Sequence, residues 1–216
     1  CLEDIIAGVS LYRPGPMDQI PRYIANKKDP EHAVYTHPAL KPILEVTYGC
    51  MVYQEQVMQI VRDLAGYSLG RADLVRRAMG KKKLDVMAKE REIFIHGQVD
   101  ENGNIIVPGC VRNGISEQDA NKIFDEMAEF AKYAFNKSHA AAYAVVSYRT
   151  AYLKAYYPAE FMAAMLNSFL GNLDKIPGYI EECKRLGIEI LKPDMNKSET
   201  KFTVDKNQIR FGLRKH

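Results

Sequence analysis

Apolar residues follow the spacing of an α-helix along most of the chain. The clearest case starts at Gln54, where apolar side chains recur every three or four residues until Gly66, a common C-terminal stop. Periodicity, caps and breakers predict six further helices, which cover about 71–79, 84–95, 116–133, 138–157, 160–170 and 175–186.

Three segments depart from this helical spacing. Residues 8–50 are rich in Pro and Gly, which predicts loops with short helical pieces. Asn102-Gly103 and Lys206-Asn207 each lie between two short apolar or alternating runs, which predicts two β-hairpins. The expected fold class is therefore mainly α, with irregular helical architecture and small β-hairpins. No function is assigned to the hairpin region 93–112.

Composition adds a soluble, globular character to this picture. Hydrophobic residues make up 47% and charged residues 26% of the 216 residues, enough for one or two cores. The four cysteines lie far apart without a CxxC pair, which argues against a zinc site or a disulfide framework. The same cysteine pattern favours a reducing cytoplasm. The longest strictly apolar run, 140–146, is too short to cross a membrane. The start at Cys1 without a Met suggests an excised piece.

The positive charge is concentrated in one short segment. The net charge is only +3, but residues 71–91 contain eight basic and three acidic residues, a local balance of +5. The remainder of the chain therefore sums to −2. This distribution favours a focused anion site over a generally basic surface.

The usual enzyme signatures are missing from the sequence. There is no GxxxxGK[ST] phosphate loop, no HExxH and no GxSxG. No pair of aspartates follows a strand-like apolar run, so the chain is expected to hold neither catalytic residues nor a metal ion.

Two stretches carry chemistry suited to phosphate. The first places Arg76 and Arg77 on a predicted helix and Lys81, Lys82 and Lys83 directly after it. Guanidinium forks beside flexible ammonium groups suit the spread charge of a triphosphate. The alternative is a solvated basic helix end whose lysines complement the helix dipole. Spacing alone leaves both interpretations open.

The second stretch, 135–143, places polar donors at a predicted helix start before a run of alanines. Ser138 is predicted to cap the helix, Lys137 adds positive charge, and His139 and Tyr143 share one helical face. Asn136 precedes the cap. The alternative is a simple cap, a surface histidine and a close helix-packing face.

Lesser candidates lie elsewhere in the chain. Tyr53, Gln54 and Gln56 could present hydroxyl and amide groups to a base or sugar, although a first helical turn is the more common role. Arg13, beside Pro14, could contact phosphate or form a structural ion pair. A tyrosine series at helical spacing could stack on bases, but core packing is favoured; its members are Tyr143, Tyr148, Tyr152 and Tyr156.

Several of these stretches together resemble the alpha subunit of bacterial DNA polymerase III, a C-family polymerase. The resemblance runs from about Glu3 to Leu213, and its motifs are LYRPGPM (11–17), YQEQVM (53–58), RRAMGKKK (76–83), FNKSHAAAY (135–143) and YPAEFM (157–162). It implies a fingers domain, with a core at 1–170 and a C-terminal part at 171–216.

The resemblance also implies roles and partners. The basic residues from Arg76 to Lys83 are expected to face the triphosphate of an incoming dNTP, and residues 137–143 are expected to line its pocket. The implied partners are primer-template DNA, the palm domain and other replicase subunits, and the palm is expected to hold the catalytic aspartates and Mg²⁺. The tail 214–216 departs from the family and is assigned no role.

Two alternatives to the polymerase interpretation stay open. A stand-alone helical nucleic-acid-binding module would use the basic segment to grip backbone phosphates, and its DNA affinity would fall steeply with salt. A protein-interaction scaffold would bind neither nucleotide nor DNA.

Overall fold

The computed structural model describes residues 1–81, 84–172 and 174–213, so Lys82, Lys83 and the tail 214–216 lie outside the described residues. Ten α-helices occur in this part of the chain: α1 (Leu2–Leu11), α2 (Ile20–Lys28), α3 (Lys41–Leu44), α4 (Gln54–Ala65), α5 (Leu69–Gly80), α6 (Leu84–His96), α7 (Glu117–Ala131), α8 (Lys137–Tyr156), α9 (Pro158–Ser168) and α10 (Ile176–Arg185). Five short strands accompany them: β1 (Gln98–Val99), β2 (Ile105–Val107), β3 (Ile190–Leu191), β4 (Thr203–Asp205) and β5 (Gln208–Arg210). The mainly α fold class is confirmed.

The chain divides into two compact units, Cys1–Ala144 and Val145–His216. Helix α8 contributes its first turns to the first unit and the rest to the second. The domains predicted from the family resemblance, 1–170 and 171–216, stay a prediction.

The first unit contains two buried apolar clusters. The larger cluster joins α4, α5, α6 and α7, and its most deeply buried side chains include Val57, Ile60 and Phe124. The smaller cluster joins α1, the segment before α4 and the first turns of α8, where Ala140 and Ala144 are fully buried. Because alanine side chains are small, they let α8 pack closely against these neighbours.

Local signals fix the ends of the helices in this unit. Helix α4 ends at Gly66, whose φ of 78° is left-handed and whose missing Cβ leaves room for Pro108. The hydroxyl of Ser68 accepts a hydrogen bond from the Arg71 amide and caps α5. Ser116 caps α7 through the Asp119 amide, as its sequence predicts.

The second unit combines α9 and α10 with a small sheet. The strand order is β3-β5-β4, and β4 and β5 form the predicted antiparallel hairpin, with Lys206 and Asn207 at positive φ in its turn. Strand β3 pairs with β5 in parallel, a pairing that the sequence did not predict. Asn167 in α9 both donates to and accepts from the backbone of Phe202, which ties helix to sheet.

The segment 8–50 contains short helical pieces joined by loops, as expected. Its nine-residue helix α2 tolerates Pro21 because the proline lies in the first turn, where a missing N–H has no intrahelical partner to lose. One expectation differs from the structure. The tyrosines of α8 were expected in the core, and this is wrong: all four are exposed, and so is most of 145–157. Helical spacing shows which side chains share a face, but not whether anything covers that face.

The cysteines and the long helices carry no further site. All four cysteines are free, and burial raises the pKa of the Cys110 thiol to about 12. Among the described helices, none combines the length and apolar character needed to cross a bilayer.

Candidate functional site

Arg76 and Arg77 lie side by side near the end of α5 and share one carboxylate. Both Nε and Nη2 of Arg76 donate to Oδ1 of Asp73, at 3.0 and 2.7 Å. Nε of Arg77 lies 2.7 Å from the other oxygen, Oδ2. The hydrogen bonds from Arg76 are the main reason why the pKa of the Asp73 carboxyl is lowered below its usual range. We call these three residues the guanidinium arm.

The first residues of α4 connect this arm to the start of α8. Nη1 of Arg76 donates to Oε1 of Gln54 at 2.8 Å, and Nε2 of Gln54 donates to the carbonyl oxygen of Ala134 at 3.1 Å. The backbone N–H of Gln54 also donates to the carbonyl oxygen of Phe135, next to a parallel β-bridge between Tyr53 and Phe135. Gln54 therefore positions one arginine and fixes the segment that leads into α8.

Residues 136–143 form the second part of the site, which we call the ammonium arm. Oδ1 of Asn136 accepts a hydrogen bond from the His139 amide at 3.0 Å, so Asn136 caps α8. The prediction that Ser138 is the cap is wrong, because the helix begins one residue earlier, at Lys137. The Lys137 amide donates to both carboxylate oxygens of Glu55, at 3.1 and 3.2 Å. Protein groups thus already accept from two of the first amides, which weakens the expected role of a free helix N-terminus.

The side chains of this arm are less tightly held than its backbone. Nζ of Lys137 lies 3.3 Å from Oε2 of Glu3 and 5.1 Å from the centre of the Tyr53 ring. The exposed His139 ring contacts the rings of Phe135 and Tyr143, with centroids 5.4 and 4.7 Å apart. These contacts leave the polar edges of His139 and Tyr143 accessible to solvent.

Arg13 lies against the segment that leads into α8, where this segment meets the start of α4; we call this place the junction. Its Nε donates to the carbonyl of Ser10 at 3.0 Å, its Nη2 donates to the carbonyl of Tyr133, and its guanidinium covers the Phe135 ring at 4.5 Å. Burial lowers the pKa of the Arg13 guanidinium. The sequence suggested that an ion pair holds Arg13. In the structure, two backbone carbonyls and the Phe135 ring hold it instead.

Gln56 and Tyr53 are buried and unavailable to a ligand in this structure. Gln56 is 4% exposed; its Oε1 accepts from the amides of Val52 and Tyr53, and its Nε2 donates to the carbonyl of Ile43 and to the hydroxyl of Thr47. Its role is structural, which corrects the expectation that it presents an amide to a ligand. The Tyr53 hydroxyl, in a side chain 1% exposed, has no hydrogen-bond partner among the described residues. Burial is the main reason that its pKa is raised.

Fewer basic residues of 71–91 are available to an anion than the local charge of +5 suggests. Arg71 pairs with Glu90, and Arg91 contacts Asp125, so both tie neighbouring helices together. Lys81 is exposed directly after α5. Lys82 and Lys83 lie outside the described residues, so their expected role stays a prediction.

A cavity of about 400 Å³ lies elsewhere in the first unit. It is lined by apolar side chains together with Asp18, Glu126 and Glu129, opposed by Arg22. This excess of carboxylates would repel phosphate, so the cavity does not suit the anion expected at the two arms. In the chain outside the masked positions, no three His, Cys, Asp or Glu residues come together to hold a metal ion.

Sequence reasoning missed the acidic residues of the site. Asp73 precedes Arg76 by three residues and Arg77 by four, the spacing at which helical side chains meet, so it could have been found. Glu55 and Glu3 contact Lys137 across 82 and more than 130 residues, and no sequence spacing signals such contacts.

Two family models match parts of the chain. Residues 1–102 match the family described as bacterial DNA polymerase III alpha subunit finger domain, and residues 187–215 match a helix-hairpin-helix motif. The described part of that second match forms β3, β4 and β5.

Curated relatives match almost the whole chain. The DNA polymerase III subunit alpha of Neisseria meningitidis serogroup A is 54% identical over 98% of the chain, that of Thermus aquaticus is 51% identical over 98%, and that of Borreliella burgdorferi is 48% identical over 98%. The chain spans about one sixth (17%) of the length of each of these relatives. On these similarities, the chain belongs to the family of bacterial DNA polymerase III alpha subunits and corresponds to a stretch that includes the finger domain.

Proposed function

We propose that the two arms bind the triphosphate of an incoming dNTP during template-directed DNA synthesis. The observation that carries this proposal is the pair Arg76 and Arg77, oriented by Asp73 and linked through Gln54 to the start of α8. Charge-assisted hydrogen bonds from guanidinium groups to phosphate oxygens are strong and directional. A chain of the polymerase III alpha family has a triphosphate as its natural anion.

The guanidinium arm supplies most of the binding energy in this proposal. Arg77 is 62% exposed, and its terminal nitrogens can reach a ligand without moving the helix. Lys81 adds positive charge at the end of α5, close in sequence to both arginines. Together these groups offset the charge of the β- and γ-phosphates, which lowers the cost of bringing a triphosphate to the site.

The ammonium arm lies at the side of the base and sugar in this proposal. Lys137 exchanges its pairing with Glu3 for a phosphate oxygen, and the exposed rings of His139 and Tyr143 contact the nucleoside. Ser138 is exposed within the first turn and contributes its hydroxyl. Arg13 and Asn136 hold the junction in place and do not themselves contact the nucleotide.

Bond formation takes place outside this chain. We expect the palm of the polymerase to hold the catalytic aspartates and Mg²⁺, which would supply the chemistry of bond formation between primer and dNTP. The residues described here bind and orient the triphosphate for that step. We therefore expect the 216-residue chain alone to bind dNTP weakly and to extend no primer, and we expect the polymerase to act in the cytoplasm with other replicase subunits.

Replacement of the arginines in a full-length alpha subunit that carries this sequence tests the proposal. Arg76→Ala and Arg77→Ala should each raise the KM for dNTP by about 10- to 100-fold, because a charge-assisted hydrogen bond contributes about 1.5–3 kcal/mol. Steady-state primer extension over a range of dNTP concentrations measures this. Arg62→Ala is the matched control, since Arg62 is exposed on α4 and pairs only with its neighbour Asp63 among the described residues.

Unchanged KM values in both arginine variants would overturn the proposal.

A second candidate function is nucleic-acid contact by α8, which carries Arg149 and Lys154 but no acidic residue and exposes Tyr148, Tyr152 and Tyr156. A salt titration of DNA binding by the 216-residue chain separates the two. A steep loss of measurable DNA affinity with salt supports DNA contact by this chain, whereas weak binding at every salt concentration favours the nucleotide site.

A further inference from the structure

We propose that Asp73 is a positioning residue for dNTP binding, which holds Arg76 and Arg77 by one edge and leaves the other edge of each guanidinium for phosphate. This inference rests on the proposed function. Asp73 is negatively charged, yet its presence in the anion site favours dNTP binding in this proposal.

The geometry follows from the pitch of α5. Asp73, Arg76 and Arg77 are spaced i, i+3 and i+4, so their side chains emerge on one face of the helix. Each carboxylate oxygen serves a different arginine: Oδ1 accepts from Nε and Nη2 of Arg76, and Oδ2 lies 2.7 Å from Nε of Arg77. One carboxylate therefore contacts both arginines: it holds Arg76 by two hydrogen bonds and Arg77 by an ion pair.

The remaining donors determine what the arm can bind. A guanidinium has five N–H groups, and Arg76 uses three of them, two on Asp73 and one on Gln54. One N–H stays available on each terminal nitrogen of Arg76. Arg77 uses only its Nε edge, and none of the described residues accepts from its terminal nitrogens, which carry four N–H groups. The arm thus presents about six N–H groups from terminal nitrogens to an anion.

Burial distinguishes the Asp73–Arg76 pair from an ordinary surface ion pair, whereas Arg77 is 62% exposed. The side chains of Asp73 and Arg76 are 28% and 23% exposed, whereas both partners of the Arg62–Asp63 pair on α4 are more exposed, at 49% and 38%. Arg76 has a second restraint in Gln54, which is itself fixed to the backbone at Ala134. The two restraints, Asp73 on Nε and Nη2 and Gln54 on Nη1, leave the guanidinium little freedom to rotate, so less entropy is lost when phosphate binds to the remaining N–H groups.

Charge and orientation predict opposite results when Asp73 is neutralised. If the arm attracted phosphate by net charge alone, Asp73→Asn would add one positive charge to the balance and tighten dNTP binding. If orientation dominates, the same substitution weakens binding, because an amide has one acceptor oxygen for two arginines. Our inference requires the second result.

The experiment compares Asp73→Asn, Asp73→Glu and the control Asp63→Asn in a full-length alpha subunit that carries this sequence. We expect Asp73→Asn to raise the KM for dNTP about five- to tenfold, with kcat within about twofold, because contacts made equally before and in the transition state change KM alone. Inhibition by tripolyphosphate, which tests the anion site without a base, should weaken by a similar factor. Asp63→Asn should leave both values within about twofold.

The conservative variant separates positioning from a structural role. Asp73→Glu keeps the charge and can still reach both arginines at this spacing, so it should recover at least half of the lost affinity on a logarithmic scale. An unchanged or lowered KM in Asp73→Asn would overturn the inference, as would a loss that Asp73→Glu does not recover. If Arg76→Ala and Arg77→Ala both leave KM unchanged, the proposed function fails; if they raise KM and Asp73→Asn does not, only the role of Asp73 fails.

Discussion

The two arms of the site hold their positive charges in different ways. In the guanidinium arm, each arginine is tied by its Nε edge to a carboxylate on the same helix, and Arg76 has a second restraint in Gln54. In the ammonium arm, the backbone is fixed by Asn136 and Glu55, but among the described residues the ammonium group of Lys137 contacts only the half-exposed Glu3 and the Tyr53 ring.

The position of a cationic group can thus be fixed through its side chain or only through the backbone that carries it. The guanidinium arm fixes side chains, so it suits an anion whose oxygens must be met at defined angles. The ammonium arm fixes a helix start and leaves a flexible point charge, which suits a group whose position varies. Both arms depend on the first turn of α4, where Gln54 meets Arg76 and Glu55 meets Lys137.

The largest expected effect comes from the residue that supports this shared turn. Gln56→Leu leaves the buried amides of Val52 and Tyr53 without an acceptor, and each such group costs about 1–3 kcal/mol. We expect the free energy of unfolding of the 216-residue chain to fall by about 3 kcal/mol in urea denaturation. Gln118→Leu, at an exposed position of α7, is the control and should change it by less than about 0.5 kcal/mol. A loss below 1 kcal/mol in Gln56→Leu would show that the two arms do not depend on this turn.

An exchange of the two kinds of cation tests the comparison itself. Arg76→Lys should raise the KM for dNTP about tenfold in a full-length subunit, because the guanidinium meets Asp73 and Gln54 through separate nitrogens and keeps two N–H groups for phosphate, whereas an ammonium group has three N–H groups on one atom. Lys137→Arg should stay within about twofold, since a flexible charge is all that its position requires. Primer-extension kinetics measure both. Equal effects in the two variants would remove the distinction between the arms.

The smallest expected effect concerns the start of α8. Asn136→Ala removes the side chain that caps the helix and should cost about 1 kcal/mol of stability. Ser138→Ala should cost less than about 0.3 kcal/mol, because its hydroxyl caps nothing in this structure. Amide hydrogen exchange in the first turn of α8 reports on both variants. The reverse order would place the cap at Ser138, as its sequence suggested.

Much of the fold follows from signals within a few residues. The ends of α4 and α7, the hairpin at Lys206-Asn207 and the break at Pro158 agree with the sequence, because each depends on a local backbone preference. The parallel pairing of β3 with β5 and the exposure of the α8 tyrosines were not predictable in this way. Both depend on segments that are distant in the chain or on groups that cover a surface.

The candidate site divides along the same line. Residue type and spacing mark Arg76, Arg77 and Lys137 as candidates, and the spacing of Asp73 to both arginines is already present in the helix period. The removal of Gln56 from the set of ligand-binding residues required the structure, since only burial distinguishes it from Gln54 two residues earlier. Neighbouring residues of one type can thus have opposite roles.

The sequence by itself determined which side chains can bind an anion and on which helices they lie, because charge and helical period are local properties. Only the tertiary structure decided which of those charges are still available. It pairs Arg71 with Glu90 and Arg91 with Asp125, and among the described residues it leaves N–H groups of Arg76 and Arg77 without an acceptor. The physical reason is that a charge is compensated by whatever lies within a few ångströms of it, and those neighbours come from distant parts of the chain.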